Sequence, residues 1–368
     1  MAAKALISVT ILTVSLLCIV AVVSASDVLF PADAADLGNW MATNVKPLDA
    51  RMSDGGEPLE AELVEAEKNR RVITVRQDGS GDFKTVMDAV NSVPTGNTNR
   101  TIIRIGPGTY KEKISVPREK PFLTFYGDKP NDMPVLTFDG DAAEYGTLGS
   151  ASLTLESKYF MAVNIIVENT SPEPRPDLVG AQAVAILVGG DMSAFYNCKF
   201  YGFQDTVCDH MGRHFFKDCF IQGTVDYIFG SGKSIYLSTE MHSVGKGEMP
   251  ITAQARKSAD EDSGYSFIHC KITGTGDVVL GRAWKPRSTV VFAYTYMDSI
   301  VHPKGWDNFG FHDRNETVFF AEYECKGPGA TLDGRVSFAK PLKLEQAKPY
   351  ISTSYIGAGS WLLPPPTL

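Results

Sequence analysis

The sequence predicts an all-β protein built as a single-stranded parallel β-helix, with one helix capping its N-terminal end. Two observations carry this prediction: a short motif recurs without a repeated helix, and β-rich segments follow one another from residue 101 to residue 338. The composition agrees, because 33 glycines and 21 prolines among 368 residues favour turns over long helices. We find no sign of a second domain boundary between residues 101 and 338.

The recurring motif is Phe-x-x-Cys-x-[Phe/Ile]-x-Gly, and its copies begin at Phe195, Phe216 and Phe267. The first interval is 21 residues (195 to 216). The second, of 51 residues (216 to 267), leaves room for a degraded copy near residues 237–244 and an insertion. A period in the low twenties made of short strands is typical of a β-solenoid. Each coil would pair with the next at about 4.8 Å, so equivalent positions should stack.

An amphipathic helix precedes the coils. Its apolar residues recur at steps of three and four: Phe83, Val86, Val90 and Val93. Pro94 ends the pattern, and we expect this helix to cover the strand edge of the first coil. Nearer the N-terminus, the stretch from Leu59 to Lys68 places Leu59 and Leu63 on one face, which predicts a short peripheral helix.

The N-terminus has the pattern of a secretory signal, with Lys4 before an apolar run over residues 5–23 and two small residues, Ser24 and Ala25, after it. A signal anchor is the alternative, since such a run can just span a bilayer, but the small residues favour cleavage after about Ala25. We therefore expect a secreted protein with no stable membrane association. Its expected segments are a signal peptide (1–25), a short extension (26–70), a β-helix domain (71–345) and a C-terminal tail (346–368).

Charge and cysteine content narrow the possible partners and compartments. The net charge is −8 and no basic block is present, which excludes nucleic acid as an expected partner. Cleavage of the signal leaves an odd number of cysteines, so at least one thiol stays free or pairs between chains. Cys198 and Cys219 would stack closely enough for a disulfide, and buried free thiols fit equally well. Three N-glycosylation sequons are compatible with secretion but short enough to arise by chance: Asn99, Asn169 and Asn315.

Two aspartates share one position of the repeat. Asp205 lies seven residues after Cys198, and Asp226 lies seven residues after Cys219. Their backbones should therefore be neighbours on successive coils, roughly 5 Å apart. Gln204 directly precedes Asp205, and Gln182 falls on the coil before. The sequence thus predicts two carboxylates and two amides on one face of the solenoid.

The same residues lie in motifs that resemble those of plant pectin methylesterases (pectinesterases), from about Ile73 to Phe338. The matching motifs are GTYKEK at Gly108, QAVAI at Gln182, QDT at Gln204, DYIFG at Asp226, ITAQAR at Ile251, LGRAW at Leu280 and RVSF at Arg335. This resemblance implies a right-handed parallel β-helix that hydrolyses galacturonate methyl esters in the plant cell wall without a metal or cofactor. It also implies methyl-esterified pectin (homogalacturonan) as substrate and a proteinaceous pectinesterase inhibitor as a candidate partner.

The resemblance also implies roles for six residues. By motif, Asp226 is the nucleophile, Asp205 the acid/base and Arg282 the partner of Asp226; Gln182 and Gln204 are the oxyanion donors, and Trp284 contacts a sugar. These roles make chemical sense, because neutral amides can stabilise the oxyanion formed when a carboxylate attacks an ester. A second carboxylate should raise the pKa of one aspartate, while a guanidinium keeps the other ionised.

Three positions depart from the usual family pattern: Ala283 stands where proline is general, Tyr227 where phenylalanine is usual and Val207 where leucine is common. None of the three replaces a residue with a chemical role. Loss of the proline is expected to loosen the strand that carries Arg282 and Trp284.

Several alternatives stay open on the sequence. The aspartates and glutamines could be turn residues and an amide ladder inside the solenoid, and spacing alone leaves catalysis and structure about even. Asp277 shares the seven-residue offset but should lie about two coils from Asp226, so we interpret it as structural.

Other functions are also open on the sequence. A pectate lyase would need clustered calcium ligands, and a polygalacturonase would need more widely separated carboxylates. A non-catalytic wall-binding protein is the remaining alternative. The six histidines lack metal-ligand spacing and no Gly-x-Ser-x-Gly elbow is present, so no metal site or serine nucleophile is expected.

Overall fold

The computed structural model describes residues 28–54, 57–175 and 179–368, so the predicted signal peptide lies outside the described residues. The chain winds into a solenoid with three faces, and most coils contribute one strand to each face. We call the face that starts each coil sheet 1. In the described residues its strands are Arg71–Val75, Thr101–Ile105, Leu123–Gly127, Met161–Val163, Ser193–Tyr196, Arg213–Lys217, Lys233–Leu237, Gly264–Ile268, Thr289–Ala293, Phe319–Tyr323 and Ala339–Pro341.

Sheets 2 and 3 form the other two faces. Sheet 2 contains Thr109–Lys111, Val135–Phe138, Ile166–Asn169, Lys199–Tyr201, Phe220–Gly223 and Tyr296–Met297. Sheet 3 contains Ile114–Val116, Leu153–Leu155, Ile186–Val188, Val207–Asp209, Ile228–Gly230 and Trp306–Asp307. Two long strands, Glu240–Gln254 and Lys271–Arg282, run through both faces and join them into one hydrogen-bonded sheet. The strand pairs of all three faces are parallel, which confirms the predicted β-helix.

A stack of aromatic rings runs through the core along sheet 1. The repeat residues Phe195 and Phe216 are paired across neighbouring coils, and Tyr236 follows them before Phe267. Ring centroids along this stack, which continues to Phe292, are 4.6, 4.5, 4.6 and 4.5 Å apart. Tyr236 therefore begins the degraded copy of the motif, which confirms that the interval of 51 residues contains another coil. Offset-stacked rings at this distance stabilise the core beyond the area they bury.

The motif cysteines line the same core as free thiols. All five cysteines in the described part of the chain are free, which settles the disulfide alternative left open by the spacing. Cys198 and Cys219 are buried, and their thiols donate to nearby backbone carbonyls. They therefore act as small apolar residues with weak donors.

The capping helix forms over Val86–Ser92 and packs against the first strands. Its N-cap is Thr85, whose hydroxyl accepts from the N–H of Asp88. The helix is shorter than the apolar spacing suggested, because Phe83 instead makes a β-bridge to Val75.

The N-terminal extension is more structured than the sequence suggested. Besides the predicted helix, found at Ala61–Lys68, it contains helices Leu37–Asn44 and Leu48–Asp54. With C-terminal residues 344–363 these helices cover the outer side of sheet 1 and build a second apolar core; we call this assembly the terminal seam. Backbone bonds from Phe30 to Ile351 and from Glu60 to Ser360, both 2.9 Å, tie the two ends together.

The remaining helical elements are short. They are Ala34–Asp36, Ala142–Tyr145, Leu148–Ser150, His312–Glu316, Pro328–Ala330, Leu344–Ala347, Thr353–Ile356 and Ala358–Ser360. Within the described ranges, the helices all fall short of the length and apolar content needed to cross a membrane.

Candidate active site

A cleft of about 500 Å³ lies over sheet 3, and its wall contains all six residues singled out from the sequence. Its floor is made by the outward side chains of successive strands, Cys208, Phe229 and Ala253. Sequence reasoning did not identify these floor residues. A signal was present, because Cys208 and Phe229 each lie three residues after one of the aspartates.

Asp205 and Asp226 occupy equivalent turns that lead into neighbouring strands of sheet 3. The pairing of Val207 with Ile228 puts the two aspartates in register, as their spacing predicted. The Asp205 N–H donates to the Val225 carbonyl at 3.1 Å. Both aspartates have left-handed backbones, with φ of 68° at Asp205 and 49° at Asp226. Aspartate tolerates this conformation better than most residues, so the turns can aim two carboxylates at one point.

Arg282, at the end of the strand Lys271–Arg282, reaches one oxygen of Asp226. Its Nη2 donates to Asp226 Oδ2. Asp226 Oδ1 and Arg282 Nε are buried and have no hydrogen-bond partner among the described residues. The carboxylate is thus neutralised on one side and left with a free, dehydrated oxygen on the other.

Burial separates the protonation states of the two aspartates. It raises the pKa of Asp226 to about 6, although Arg282 opposes the shift. Burial raises the pKa of Asp205 further, to about 8, and the negative charge of Asp226 adds to the effect. Sequence reasoning attributed the raised pKa to the second carboxylate, but burial contributes more. Between these two values, Asp226 is ionised and Asp205 holds a proton.

The two glutamines meet on adjacent turns beside the aspartates. The Gln204 carbonyl accepts from the N–H of Ala183, the residue after Gln182, at 3.1 Å. Both amide side chains are partly exposed in the cleft, and neither has a side-chain hydrogen bond to another described residue. Their donors are therefore available to a ligand, whereas an amide ladder would have used them.

Trp284 forms part of the wall two residues beyond Arg282. Its ring packs edge-to-face on Phe229, with centroids 6.2 Å apart, and Lys285 Nζ lies 5.0 Å from its centroid. Partly exposed in the cleft, it can offer an apolar face to a sugar ring. Five further polar residues on the wall were not predicted: Thr147, His210, Ser231, Lys257 and Lys285.

No group of three or more His, Cys, Asp or Glu in the described residues is arranged to hold a metal ion. Asp277 lies away from the cleft: its carboxylate is 3.9 Å from His302 Nε2, and it is absent from the cleft wall.

Comparison with known proteins identifies the family of the chain. A sequence model of the pectinesterase family matches residues 72–359. Putative pectinesterase 63 of Arabidopsis thaliana is 55% identical over 80% of this chain and 87% of that protein. The solved pectin methylesterase from carrot has a TM-score of 0.74 and 32% identity, covering 79% of this chain and 94% of its own. A pectin methylesterase in complex with a hexasaccharide has a TM-score of 0.67 and 25% identity, covering 81% and 99%. The chain belongs to the pectinesterase family, whose members are carboxylic ester hydrolases.

Proposed function

We propose that this pectinesterase cleaves the methyl esters of homogalacturonan with Asp226 as nucleophile and Asp205 as acid/base. The observation that carries the proposal is the free Oδ1 of Asp226, which is buried beside a second carboxyl whose pKa burial raises to about 8. A buried carboxylate oxygen without a hydrogen bond loses solvation, and attack on a carbonyl carbon relieves this cost.

The first half of the reaction forms a covalent intermediate. Asp226 Oδ1 attacks the ester carbonyl carbon, and the resulting oxyanion accepts hydrogen bonds from the amides of Gln182 and Gln204. When the C–O bond to the methoxy group breaks, the leaving oxygen takes the proton of Asp205 and departs as methanol. The products at this stage are an anhydride between Asp226 and the uronate, and an ionised Asp205.

The second half restores the enzyme. Asp205, now a carboxylate, accepts a proton from water as the water oxygen attacks the uronate carbonyl of the anhydride. The anhydride bond breaks and releases ionised Asp226 and the uronic acid, which loses its remaining proton to the solvent, while Asp205 keeps the proton taken from water. Arg282 supports both halves because its charge stabilises Asp226 whenever that residue is ionised.

The proposed ligand is methylated pectin, held by Trp284 and the polar wall. The hexasaccharide complex of a related pectin methylesterase supports an oligosaccharide ligand for this fold. Measuring methanol release from methylated pectin, together with ultraviolet absorbance of unsaturated products and new reducing ends, tests the assignment. Methanol alone is the expected result. Unsaturated products would indicate a lyase, new reducing ends a polygalacturonase, and no product a wall-binding protein.

We also propose secretion to the cell wall, with N-glycosylation at Asn99. Asn99 is exposed in a loop, whereas Asn169 is 2% exposed and its amide donates to three backbone carbonyls. A glycan on Asn169 would break those bonds. Mass spectrometry of protein from culture medium should find a glycan at Asn99 and none at Asn169.

A proteinaceous pectinesterase inhibitor is proposed as a partner from the family resemblance. Measuring methanol release while the inhibitor is added in increasing amounts tests that proposal.

A further inference from the structure

The guanidinium of Arg282 is only partly fixed by Asp226. One nitrogen donates to the carboxylate, and Nε has no partner among the described residues. A second contact comes from Phe309, whose ring centroid lies 4.3 Å from Arg282 Cζ. The negative face of an aromatic ring attracts a cation and limits where it can move.

Phe309 begins a short stretch, residues 309–317, which we call the clamp segment. Within it, Arg314 Nη1 donates to the carbonyls of Ala283 and Trp284, the latter at 3.1 Å. Thr317 Oγ1 donates to the Pro286 carbonyl. The clamp segment therefore grips the chain directly after Arg282.

The clamp segment is itself braced. Arg314 Cζ lies 3.7 Å from the ring centroid of Phe311, whose ring is 6.0 Å from that of Phe309. The side chain of Asn308 donates to Asn315 Oδ1 at 3.0 Å and closes the loop. Two arginine–aromatic contacts thus stand side by side, one reaching the reaction centre and one anchoring the backbone.

Ala283 shows why such a clamp is needed in this chain. Its N–H donates to the Asp307 carbonyl at 2.8 Å, a bond that proline could not make, and its carbonyl accepts from Arg314. Both backbone groups of Ala283 are therefore bonded. The strand Lys271–Arg282 ends before Ala283, so the expectation that one strand carries both Arg282 and Trp284 was wrong. Hydrogen bonds hold the segment after the strand and offset the loosening expected from loss of the proline.

We propose that Phe309 and Arg314 are positioning residues for the esterase reaction, which keep Arg282 against Asp226 and Trp284 at the wall of the cleft. The proposal rests on the proposed role of Asp226 as nucleophile. Loss of either contact should lower kcat, because a displacement of about 1 Å at a reaction centre can cost about a hundredfold.

The test compares kcat, KM and the pH profile of methanol release for Arg314→Ala and Phe309→Leu. We expect kcat to fall by about tenfold to a hundredfold in Arg314→Ala and by less in Phe309→Leu. The acid limb should move to higher pH in both variants. Arg282 lowers the pKa of Asp226, and the neighbouring carboxyl of Asp205 interacts with both groups, so a weaker contact with the cation raises the pKa of Asp226.

Arg51→Ala is the matched control, because Arg51 also donates to backbone carbonyls but lies in the terminal seam. It should lower the melting temperature and leave kcat and the acid limb unchanged. The proposal is wrong if Arg314→Ala behaves in the same way. Should Arg314→Ala fail to fold, Phe309→Leu decides alone, since that side chain is 38% exposed. Full activity of Asp226→Asn would instead contradict the proposed nucleophile.

Discussion

The ion pairs Arg335–Glu322 and Arg282–Asp226 both join an arginine to a buried carboxylate, but they differ in how completely they are hydrogen-bonded. At the C-terminal end of the solenoid, Arg335 holds Glu322 with two hydrogen bonds of 2.8 and 3.0 Å. Trp306 donates to the same carboxylate, and the guanidinium also reaches three backbone carbonyls. In the cleft, Arg282 holds Asp226 by one oxygen and leaves buried atoms unpartnered on both sides.

A structural ion pair has all its hydrogen bonds made, whereas the pair proposed to react has some of them missing. A buried pair contributes to folding when its hydrogen bonds are complete, and each missing bond costs free energy. Both carboxylate oxygens of Glu322 already accept hydrogen bonds from the protein, so the pair is not open to a ligand. The pair of Asp226 keeps one oxygen free at the position where we propose that a substrate carbonyl binds, so stability is given up at the proposed reaction centre.

The largest expected effect comes from removing the carboxylates in the cleft. Asp226→Asn and Asp205→Asn should each lower kcat by several orders of magnitude, because they remove the proposed nucleophile and the proposed acid/base. Both purified variants should remain folded by circular dichroism. Methanol release near the wild-type rate from either variant would contradict the proposed roles.

The same carboxylate-to-amide change at the other pair should act on folding alone. Glu322→Gln leaves the Arg335 charge buried without its partner, so we expect a loss of about 3–5 kcal/mol in the free energy of unfolding. Urea unfolding measures the loss, and kcat per folded molecule should be unchanged. A lower kcat with an unchanged free energy of unfolding would contradict a purely structural role for the Arg335–Glu322 pair.

A smaller loss is expected at the amides. Gln182→Ala and Gln204→Ala should each lower kcat by about a hundredfold or more, since each removes one donor to the oxyanion. Because neither amide has a side-chain hydrogen bond within the described structure, the melting temperature should hardly change. A fall in melting temperature with wild-type kcat would favour the amide-ladder alternative.

The two aspartates of the cleft should also give methanol release a pH dependence with two limbs. Methanol release should fall below about pH 6, where Asp226 becomes protonated, and above about pH 8, where Asp205 loses its proton.

The raised pKa of Asp205 also affects stability, because the folded protein binds this proton more tightly than the unfolded chain does. Its contribution to stability is therefore present below pH 3.8 and is lost as pH rises to about 8. Asp205→Asn should melt at a higher temperature than wild type at pH 8, and a lower melting temperature there would contradict this account.

The smallest expected effect is that of chelation. EDTA should leave methanol release unchanged, because the proposed reaction uses only side chains. If dialysis against EDTA abolished activity and calcium alone restored it, the mechanism would be wrong or incomplete.

The net charge of −8 predicts that the protein is retained more weakly on de-esterified pectin, which is a polyanion, than on methylated pectin. Column chromatography on the two polymers can compare the retention.

The repeat made much of this architecture predictable. One motif beginning at Phe195 and Phe216 was sufficient to stack the coils, and the same count placed Asp205 beside Asp226. The terminal seam was not predictable in this way, because Leu48 and Trp361 bury themselves against strands far away in sequence. The contact of Phe309 with Arg282 was not predictable either, since it depends on loop conformation and follows no sequence period.

The terminal seam also determines when the molecule can finish folding. Coils can add one after another as the chain emerges, because each contacts mainly its neighbours. Phe30 cannot bond to Ile351 until almost the whole chain has been synthesised, so the segment around Phe30 is made early and is among the last to dock. Until then the outer apolar side of sheet 1, including Met161 and Tyr196, is open to solvent. A nascent chain stalled before Ile351 would therefore have a complete cleft, but the outer apolar side of sheet 1 would be uncovered and prone to aggregation.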